Sequence, residues 1–260
     1  RRGFFNYEIS QARKDYLKSI VNFEKILKVR NKLIKENKTC CEIYEIYNKK
    51  FIEEGVNIIV HRREFIQKIS VLLNFNYQKL FDKKARLKLR YDCFLGDVEK
   101  KSKSELVEKF EEQCLKKMER ENFLGYSLLG PQKDDFVFEL NGKNAKSYSS
   151  QGEKKSIIFS LKVSEIDILM AEKNEYPIFI MDDISSYFDE IRKNSILDYF
   201  KNKKYETVAV EHTKKNLQVI IARNTEKVAW GKIDVPLEAA LRNITHYLSI
   251  PPPKIPLTGV

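Results

Sequence analysis

Apolar residues recur every three or four positions through the first third of the chain. One such stripe runs from residue 8 to about residue 37, and a second runs from residue 41 to about residue 76. A stripe with this period is typical of the buried side of an amphipathic helix. Only the short break at Lys38-Thr39 separates the two segments. The pattern therefore predicts two long helices that pack antiparallel, as a helical lobe over residues 1–82.

The side of the first helix that faces away from its apolar stripe is rich in lysine. Such a face is either solvated or turned toward phosphate groups, and a solvated face is the commoner case. Both interpretations stay open from the sequence. The lysines are Lys14, Lys18, Lys25, Lys28, Lys32 and Lys35.

A different pattern begins after these helices. Residues 85–91 alternate between apolar and polar and predict a half-buried strand. A third helix is expected from residue 104 to about 122, with Ser102 or Ser104 as its N-cap.

Beyond about Gly125, short apolar strands alternate with helices, which predicts an α/β sheet layer. The strands are expected at 136–138, 177–181 and 207–210, and the helices at 151–171 and 189–201.

The last part of the chain, residues 226–260, differs from the rest. Lysine becomes sparse there, and Pro251, Pro252, Pro253 and Pro256 are incompatible with a helix or a central strand. We expect an extended or disordered tail of unknown role, and residues 83–225 as the α/β portion.

Composition narrows the class of protein. The 260 residues include 48 Lys and Arg against 37 Asp and Glu, a formal charge of +11, which favours polyanionic partners such as nucleic acid. A compositional bias toward lysine is the alternative explanation of the positive charge.

The four cysteines lack metal-ligand spacing and the density of a disulfide scaffold. With no long apolar run either, we expect reduced thiols, no membrane contact and a cytoplasmic location.

The strongest local signal is an apolar strand that ends in Asp182 and Asp183. Carboxylates at the end of a sheet strand lie where phosphate ligands dock. There the first can hold the water shell of a magnesium ion, and the second can orient or deprotonate an attacking water. Two exposed acids that simply end a strand are the plain alternative.

About thirty residues earlier, residues 149–156 read Ser-Ser-Gln-Gly-Glu-Lys-Lys-Ser, just before a predicted helix. Backbone amides at a helix start bind anions, although the same residues also suit an ordinary N-cap. Next to the acid pair, residues 184–189 form a polar turn into another helix, and Glu211-His212 follows at a strand end. This order of features is the one found in the second half of ABC-type ATPase heads.

Four segments resemble, in order, motifs of the RecF family of replication and repair proteins. Residues 130–135, Gly-Pro-Gln-Lys-Asp-Asp, look like its Gly-Pro-His-Arg-Asp-Asp element, and residues 150–156 resemble its signature motif, Ser-Gln-Gly-Gln-Gln-Arg-Thr. Residues 175–183 match its Walker B element, and residues 186–189, Ser-Tyr-Phe-Asp, match its D-loop. The opening Arg-Arg-Gly-Phe-Phe is also similar to a family stretch, so that the resemblance covers residues 1 to about 225.

The resemblance implies the fold and the chemistry. The fold would be the C-terminal part of an ABC-ATPase head, with a P-loop NTPase-like sheet layer and an inserted α-helical lobe. The function would be ATP-driven dimerisation and slow hydrolysis in repair at single-strand gaps or DNA junctions, with RecO and RecR as partners. Asp182 would serve magnesium, Asp183 would polarise the attacking water, and Asp189 would act in the D-loop across the dimer. The signature residues Ser150, Gln151, Gly152 and Glu153 would bind ATP held by a second subunit, with Ser150 and Gly152 on its γ-phosphate.

The chain departs from the family pattern at several positions. Gln132 replaces His, the lysines at 154 and 155 replace Gln and Arg, and Tyr187 replaces Glu. His212 stands near the position of a γ-phosphate-sensing histidine in many ABC ATPases, and a plain surface histidine is an equal alternative. No Gly-x-x-x-x-Gly-Lys-Ser/Thr loop occurs in the 260 residues. We therefore expect a fragment that lacks a Walker A lobe and is inactive as an ATPase by itself.

Two other classes remain as alternatives. One is a non-catalytic DNA-binding or scaffolding module in which the motifs are remnants. The other is a different head of the same superfamily, with a long coiled coil or an added nuclease region, neither of which the sequence contains.

Overall fold

The computed structural model describes residues 2–173, 179–182, 188–201, 207–212, 217–222 and 233–235, and for the strands after residue 173 it describes the backbone alone. The chain divides into two compact units, Arg1–Lys173 and Asn174–Val260. This division reflects which residues pack together. The domain boundaries predicted above rest on the change in sequence pattern along the chain, and they remain predictions.

The first unit consists mainly of helices, with one small sheet. Its helices are α1 (Arg2–Ala12), α2 (Lys14–Lys35), α3 (Glu42–Leu80), α4 (Lys103–Leu124), α5 (Ala145–Tyr148) and α6 (Gln151–Lys173), with a 3-10 turn at Pro131–Lys133. Its strands are β1 (Leu87–Asp92), β2 (Asp135–Leu140) and β3 (Lys143–Asn144).

The two long helices at the start of the chain pack antiparallel, as the apolar stripes predict. Arg13, immediately before α2, bonds to Glu64 late in α3, while Arg30, near the end of α2, bonds to Asn48 early in α3. The prediction of one continuous helix from residue 8 was wrong. Arg13 has an extended backbone, with φ of −135° and ψ of 107°, and it separates α1 from α2. Its ion pair with Glu64 is a long-range contact that a helical repeat does not reveal.

A single apolar core joins the helices to the first sheet. Phe51 of α3 stacks on Phe23 of α2 and meets Phe110 of α4 edge to face. Gly55 permits this close approach, because a Cβ atom there would lie 2.7 Å from the Phe110 ring. The helices predicted as a separate lobe therefore share one core with β1 and β2.

The first sheet has the order β1-β2-β3 and is antiparallel throughout. Cross-strand packing fixes its register, because Tyr91 of β1 lies opposite Phe136 of β2 and their rings stack at 5.4 Å. The strand predicted at 136–138 is thus β2, and its described partners are β1 and β3 rather than the later strands.

The second unit contains β4 (Phe179–Asp182), α7 (Glu190–Lys201), β5 (Thr207–His212), β6 (Leu217–Ala222) and β7 (Ile233–Val235). Its sheet order is β4-β5-β6-β7, in which β4 and β5 are parallel and the later pairs are antiparallel. A helix between two parallel strands is the βαβ crossover expected of an α/β layer. β7 lies within the segment predicted as a tail, so part of that segment pairs with the sheet.

The cysteines at 40, 41, 93 and 114 are all free thiols. Among the described helices, none combines the length and the apolar character that crossing a membrane requires.

Candidate functional site

The signature segment begins helix α6 with a capping box. The Glu153 amide donates to the Ser150 hydroxyl at 3.2 Å, and the Ser150 amide donates to the Glu153 carboxylate at 2.7 Å. These reciprocal bonds satisfy two backbone amides and fix where the helix starts. The ordinary N-cap interpretation of Ser150 is therefore correct as a statement about structure. It does not exclude a second role, since a capping box orders the remaining amides of the first turn.

The next two residues supply the amides that could meet an anion. Gln151 and Gly152 are the first residues of α6, and first-turn amides have no partner within their own helix. Gln151 is exposed and Gly152 is half-buried, so this turn is accessible. Lys154 and Lys155 follow after Glu153, and their charge adds to the positive end of the helix dipole. An exposed helix start with adjacent lysines fits a phosphate group.

Asp182 is the last residue of β4 and pairs in register with Val210 of the parallel strand β5. Carboxyl ends of parallel strands meet at one edge of a sheet, so Asp182 shares that edge with Glu211 and His212. This is the sheet edge that the sequence predicts for the acid pair. Asp183 lies outside the described residues, as do Ser185, Ser186 and Tyr187.

The D-loop aspartate has a clear local role. Asp189 precedes α7, and its carboxylate accepts hydrogen bonds from the Arg192 amide at 2.9 Å and from the Arg192 guanidinium at 2.7 Å. The bond from that amide lowers the pKa of Asp189. Asp189 is exposed, and it acts as the N-cap of α7.

The segment 130–135 is anchored in the first unit by a buried ion pair. Arg62 of α3 donates to the Pro131 carbonyl at 2.7 Å and to the Asp134 carboxylate at 3.1 Å. Asp134 also accepts from the Phe94 amide at 2.8 Å and from the Tyr91 hydroxyl. Because every partner is buried or half-buried, removal of Arg62 would leave an uncompensated charge in the core.

A second buried arginine, Arg30, lies in the same unit. It donates to Glu121 at 2.8 Å, to the Tyr44 hydroxyl at 2.9 Å and to the Ser127 hydroxyl at 2.6 Å. Sequence reasoning missed both arginines. The available signal was a charge inside the apolar stripe, since Arg62 stands three residues after Ile59 and four before Ile66.

The predicted site residues fall in both units. Ser150, Gln151, Gly152 and Glu153 belong to the first unit, and Asp182 and Asp189 belong to the second. Among the residues whose side chains are described, no group of three or more His, Cys, Asp or Glu is placed to hold a metal ion. The carboxylate of Asp182 is outside that set, so its magnesium role stays a prediction.

Comparison with curated proteins finds relatives that share one name. The chain is 34% identical over 207 residues to the DNA replication and repair protein RecF of Ligilactobacillus salivarius, which covers 78% of this chain and 55% of that protein. It is 32% identical over 224 residues to the protein of the same name from Alkaliphilus oremlandii, covering 84% of this chain and 60% of that protein. The chain thus spans little more than half the length of these relatives. No family-level sequence profile matches it.

Comparison with solved structures agrees. A structure described as the recombination mediator protein RecF-ATP in the RecFOR pathway superposes with a TM-score of 0.73 at 28% identity. The match covers 83% of this chain and 57% of that one. A second structure, described as RecF-ATPrS in the same pathway, gives a TM-score of 0.71 at 27% identity, covering 82% of this chain and 58% of that one. The predicted α/β class, part of an ABC-ATPase head with a helical lobe, is confirmed.

Proposed function

Over most of its length this chain is a homologue of the RecF family of DNA replication and repair proteins, and from that relationship we propose that it is the signature-motif and Walker B portion of a DNA-binding ATPase. The process served is recombinational repair and replication at single-strand gaps. The observation that carries the proposal is the accessible start of α6, where a capping box orders two amides beside two lysines.

The role of α6 is to bind the γ-phosphate of an ATP molecule held by a second copy of the protein. The amides of Gln151 and Gly152 point out of the helix start, and Ser150 and Glu153 hold that turn in place. The Glu153 carboxylate is already engaged by the Ser150 amide, and the neighbouring lysines offset its charge. An arrangement of this kind would favour a dimer that closes on ATP.

The acid pair does the chemistry of hydrolysis in this proposal. Asp182, the last residue of β4, would hold the water shell of a magnesium ion, and Asp183 would orient and deprotonate the attacking water. Magnesium, when bound, neutralises charge that develops on the phosphates. Asp189 contributes from the D-loop across the dimer, on a helix start that its own side chain caps.

The nucleotide itself needs a phosphate-binding loop, and the 260 residues contain no Gly-x-x-x-x-Gly-Lys-Ser/Thr sequence. We propose that such a loop completes the site and that these residues alone do not hydrolyse ATP. The proposed partners are duplex DNA and single-strand/duplex junctions, RecR- and RecO-type proteins, and a second copy of the chain. The proposed location is the cytoplasm.

The test requires a chain with both halves of the site, so we define the joined protein as this chain fused to the part of the Ligilactobacillus salivarius RecF that this chain does not match. In the joined protein, Asp183→Asn should lower DNA-stimulated ATP hydrolysis by at least about a hundredfold, because the attacking water loses its base. Steady-state phosphate release measures this rate.

The matched control is Asp92→Asn, which changes an exposed carboxylate at the end of β1 and should hydrolyse ATP at the parent rate. If the parent joined protein hydrolyses ATP and the Asp183→Asn variant keeps the same rate, the acid pair has no catalytic role. The chain would then be a DNA-binding or scaffolding module with remnant motifs.

A further inference from the structure

The outward face of α2 carries a row of lysines with one sign of charge, which we call the lysine stripe. A helix turns by about 100° per residue, so these positions fall within an arc of about 100° around the axis. All of them are exposed, and the side chains of Lys18 and Lys32 are each 76% exposed. The stripe consists of Lys14, Lys18, Lys25, Lys28, Lys32 and Lys35.

The core fixes which way the stripe faces. Tyr16, Phe23, Arg30 and Ile34 are buried on the opposite side of α2, against α3 and its neighbours. The helix therefore cannot rotate to hide the lysines without exposing its core residues. The stripe is a rigid feature of the surface, although each lysine side chain remains free to move.

Acidic neighbours neutralise only part of the stripe. Lys18 lies 3.6 Å from Asp15, and Lys32 lies 3.9 Å from Glu36. Lys14, Lys25, Lys28 and Lys35 make no ion pair with any described residue. Like charges three or four residues apart destabilise a helix, and lysines 25, 28, 32 and 35 form a consecutive series at that spacing.

The other long helices show a different charge pattern. The exposed residues of α3 include Glu42, Glu45 and Glu53 beside its lysines, and α4 alternates acids and bases along its surface. A mixed surface is sufficient for solubility. Asp15 and Glu24 are also exposed on α2, but they lie outside the arc of the lysine stripe, and no residue of α2 within that arc is acidic. This local excess of positive charge favours a partner with the opposite charge.

We propose that the lysine stripe binds the phosphate backbone of duplex DNA. A helix of 22 residues is about 33 Å long, close to the rise of about 34 Å for one turn of duplex. Lysine is a flexible point charge, suited to phosphates and not to reading bases, so the contact is independent of sequence. This inference rests on the proposed DNA-binding function and adds the surface that does the binding.

The test is the salt dependence of duplex binding by the full 260-residue chain. Replacement of Lys25, Lys28 and Lys35 by Gln keeps helix propensity and removes three charges that have no described ion-pair partner. Each lost phosphate contact lowers the slope of log affinity against log salt by about 0.9. For a duplex of roughly 30 base pairs, the magnitude of this slope should therefore be smaller by about 3 in the triple variant than in the parent. The affinity of the triple variant at low salt should be at least about tenfold lower.

A matched control removes the same charge elsewhere. Lys83, Lys84 and Lys143 are exposed and make no ion pair with any described residue, and they lie outside α2. Their replacement by Gln should change the slope by less than about 1, as expected from net charge alone. Thermal melting of both variants within about 2 °C of the parent would show that folding is unaffected.

The outcomes separate the inference from the function on which it rests. If the parent chain binds duplex and both triple variants lose the same slope, the stripe is not the binding surface, while the DNA-binding proposal stands. If the parent chain binds no duplex at low salt, the DNA-binding proposal fails and the inference with it. Binding to anionic phospholipid vesicles without binding to duplex would also overturn the inference, in favour of a membrane surface.

Discussion

At the scale of single residues, Glu165 on α6 shows most clearly what the fold imposes on a side chain. It is 5% exposed, its Oε2 atom lies 2.9 Å from the Lys162 ammonium, and its Oε1 atom has no hydrogen-bond partner among the described residues. Glu165 lines a small pocket together with Glu8, Phe65, Ile168 and Leu169. Burial raises the pKa of Glu165 to about 7, even though Lys162 pulls it down.

This shift predicts a pH dependence of stability. A carboxyl group whose pKa is higher in the folded state than in the unfolded state stabilises the fold while it is protonated. Its contribution is complete below about pH 4.5 and is lost as pH rises through about 7, an effect of about 3 kcal/mol at most. Glu165→Gln cannot ionise, so its free energy of unfolding should fall less between pH 5 and pH 8 than that of the parent.

Chemical denaturation at several pH values measures the difference. Glu108→Gln, an exposed carboxyl on α4, serves as the control and should keep the pH dependence of the parent. Identical pH profiles for the parent and Glu165→Gln would show that folding does not shift the pKa of Glu165, contrary to the expectation.

The residues that sequence reasoning could assign were those with local partners. Ser102, one of two candidates with Ser104, and Ser150 were expected at helix starts, and each bonds a Glu three residues later. Arg62 could not be paired from the sequence, because its partner Asp134 stands 72 positions away. Glu165 could not be singled out either, since its pKa depends on Glu8 from another helix and on apolar neighbours.

At the scale of elements, the sequence predicted α3, α4 and α6 to within a few residues. Helices α3 and α4 each bury an apolar stripe, whereas α6 was placed by the serine N-cap at its start. Helical periodicity missed the break at Arg13, where a tertiary ion pair competes with the helix. Alternation predicted β1 and a short apolar run predicted β2, but neither pattern indicated that the two strands form a sheet with β3. Strand pairing is set by contacts between side chains of neighbouring strands, such as Tyr91 on Phe136. The residue pattern of one strand does not show which other strand supplies these contacts.

Helices α4 and α6 begin with capping boxes of the same geometry, which provides a matched pair of variants. In both, the amide of the third residue donates to the serine hydroxyl at 3.2 Å and the serine amide donates to the glutamate at 2.7 Å. Ser102→Ala and Ser150→Ala should each lower the free energy of unfolding by about 1 kcal/mol.

Denaturant titration of the two variants checks this prediction. A loss of stability at Ser102 without one at Ser150 would mean that the start of α6 is not held by its cap as described. Such a result would also weaken the argument that this turn is ordered in advance for a phosphate.

At the scale of the whole molecule, sequence similarity to RecF proteins identifies the family. The four motifs, found in order, indicated that family more specifically than the net charge or the helical periodicity did. The chain matches little more than half of a RecF relative, with 55% of the Ligilactobacillus salivarius protein covered. The signature helix α6 belongs to the first unit, and Asp182 at the end of β4 belongs to the second.

The most direct measurement is retention of duplex DNA by the joined protein in gel shifts, with and without ATP and magnesium. ATP should increase retention by the parent and by Ser102→Ala, and Ser150→Ala should lose most of that increase despite an equal cost in stability. The 260-residue chain alone should show no increase with ATP. The central claim is that the start of α6 acts on a nucleotide held by a separate phosphate-binding loop. Strong ATP-stimulated retention by the chain alone would contradict it. An undiminished ATP response in Ser150→Ala would contradict it as well.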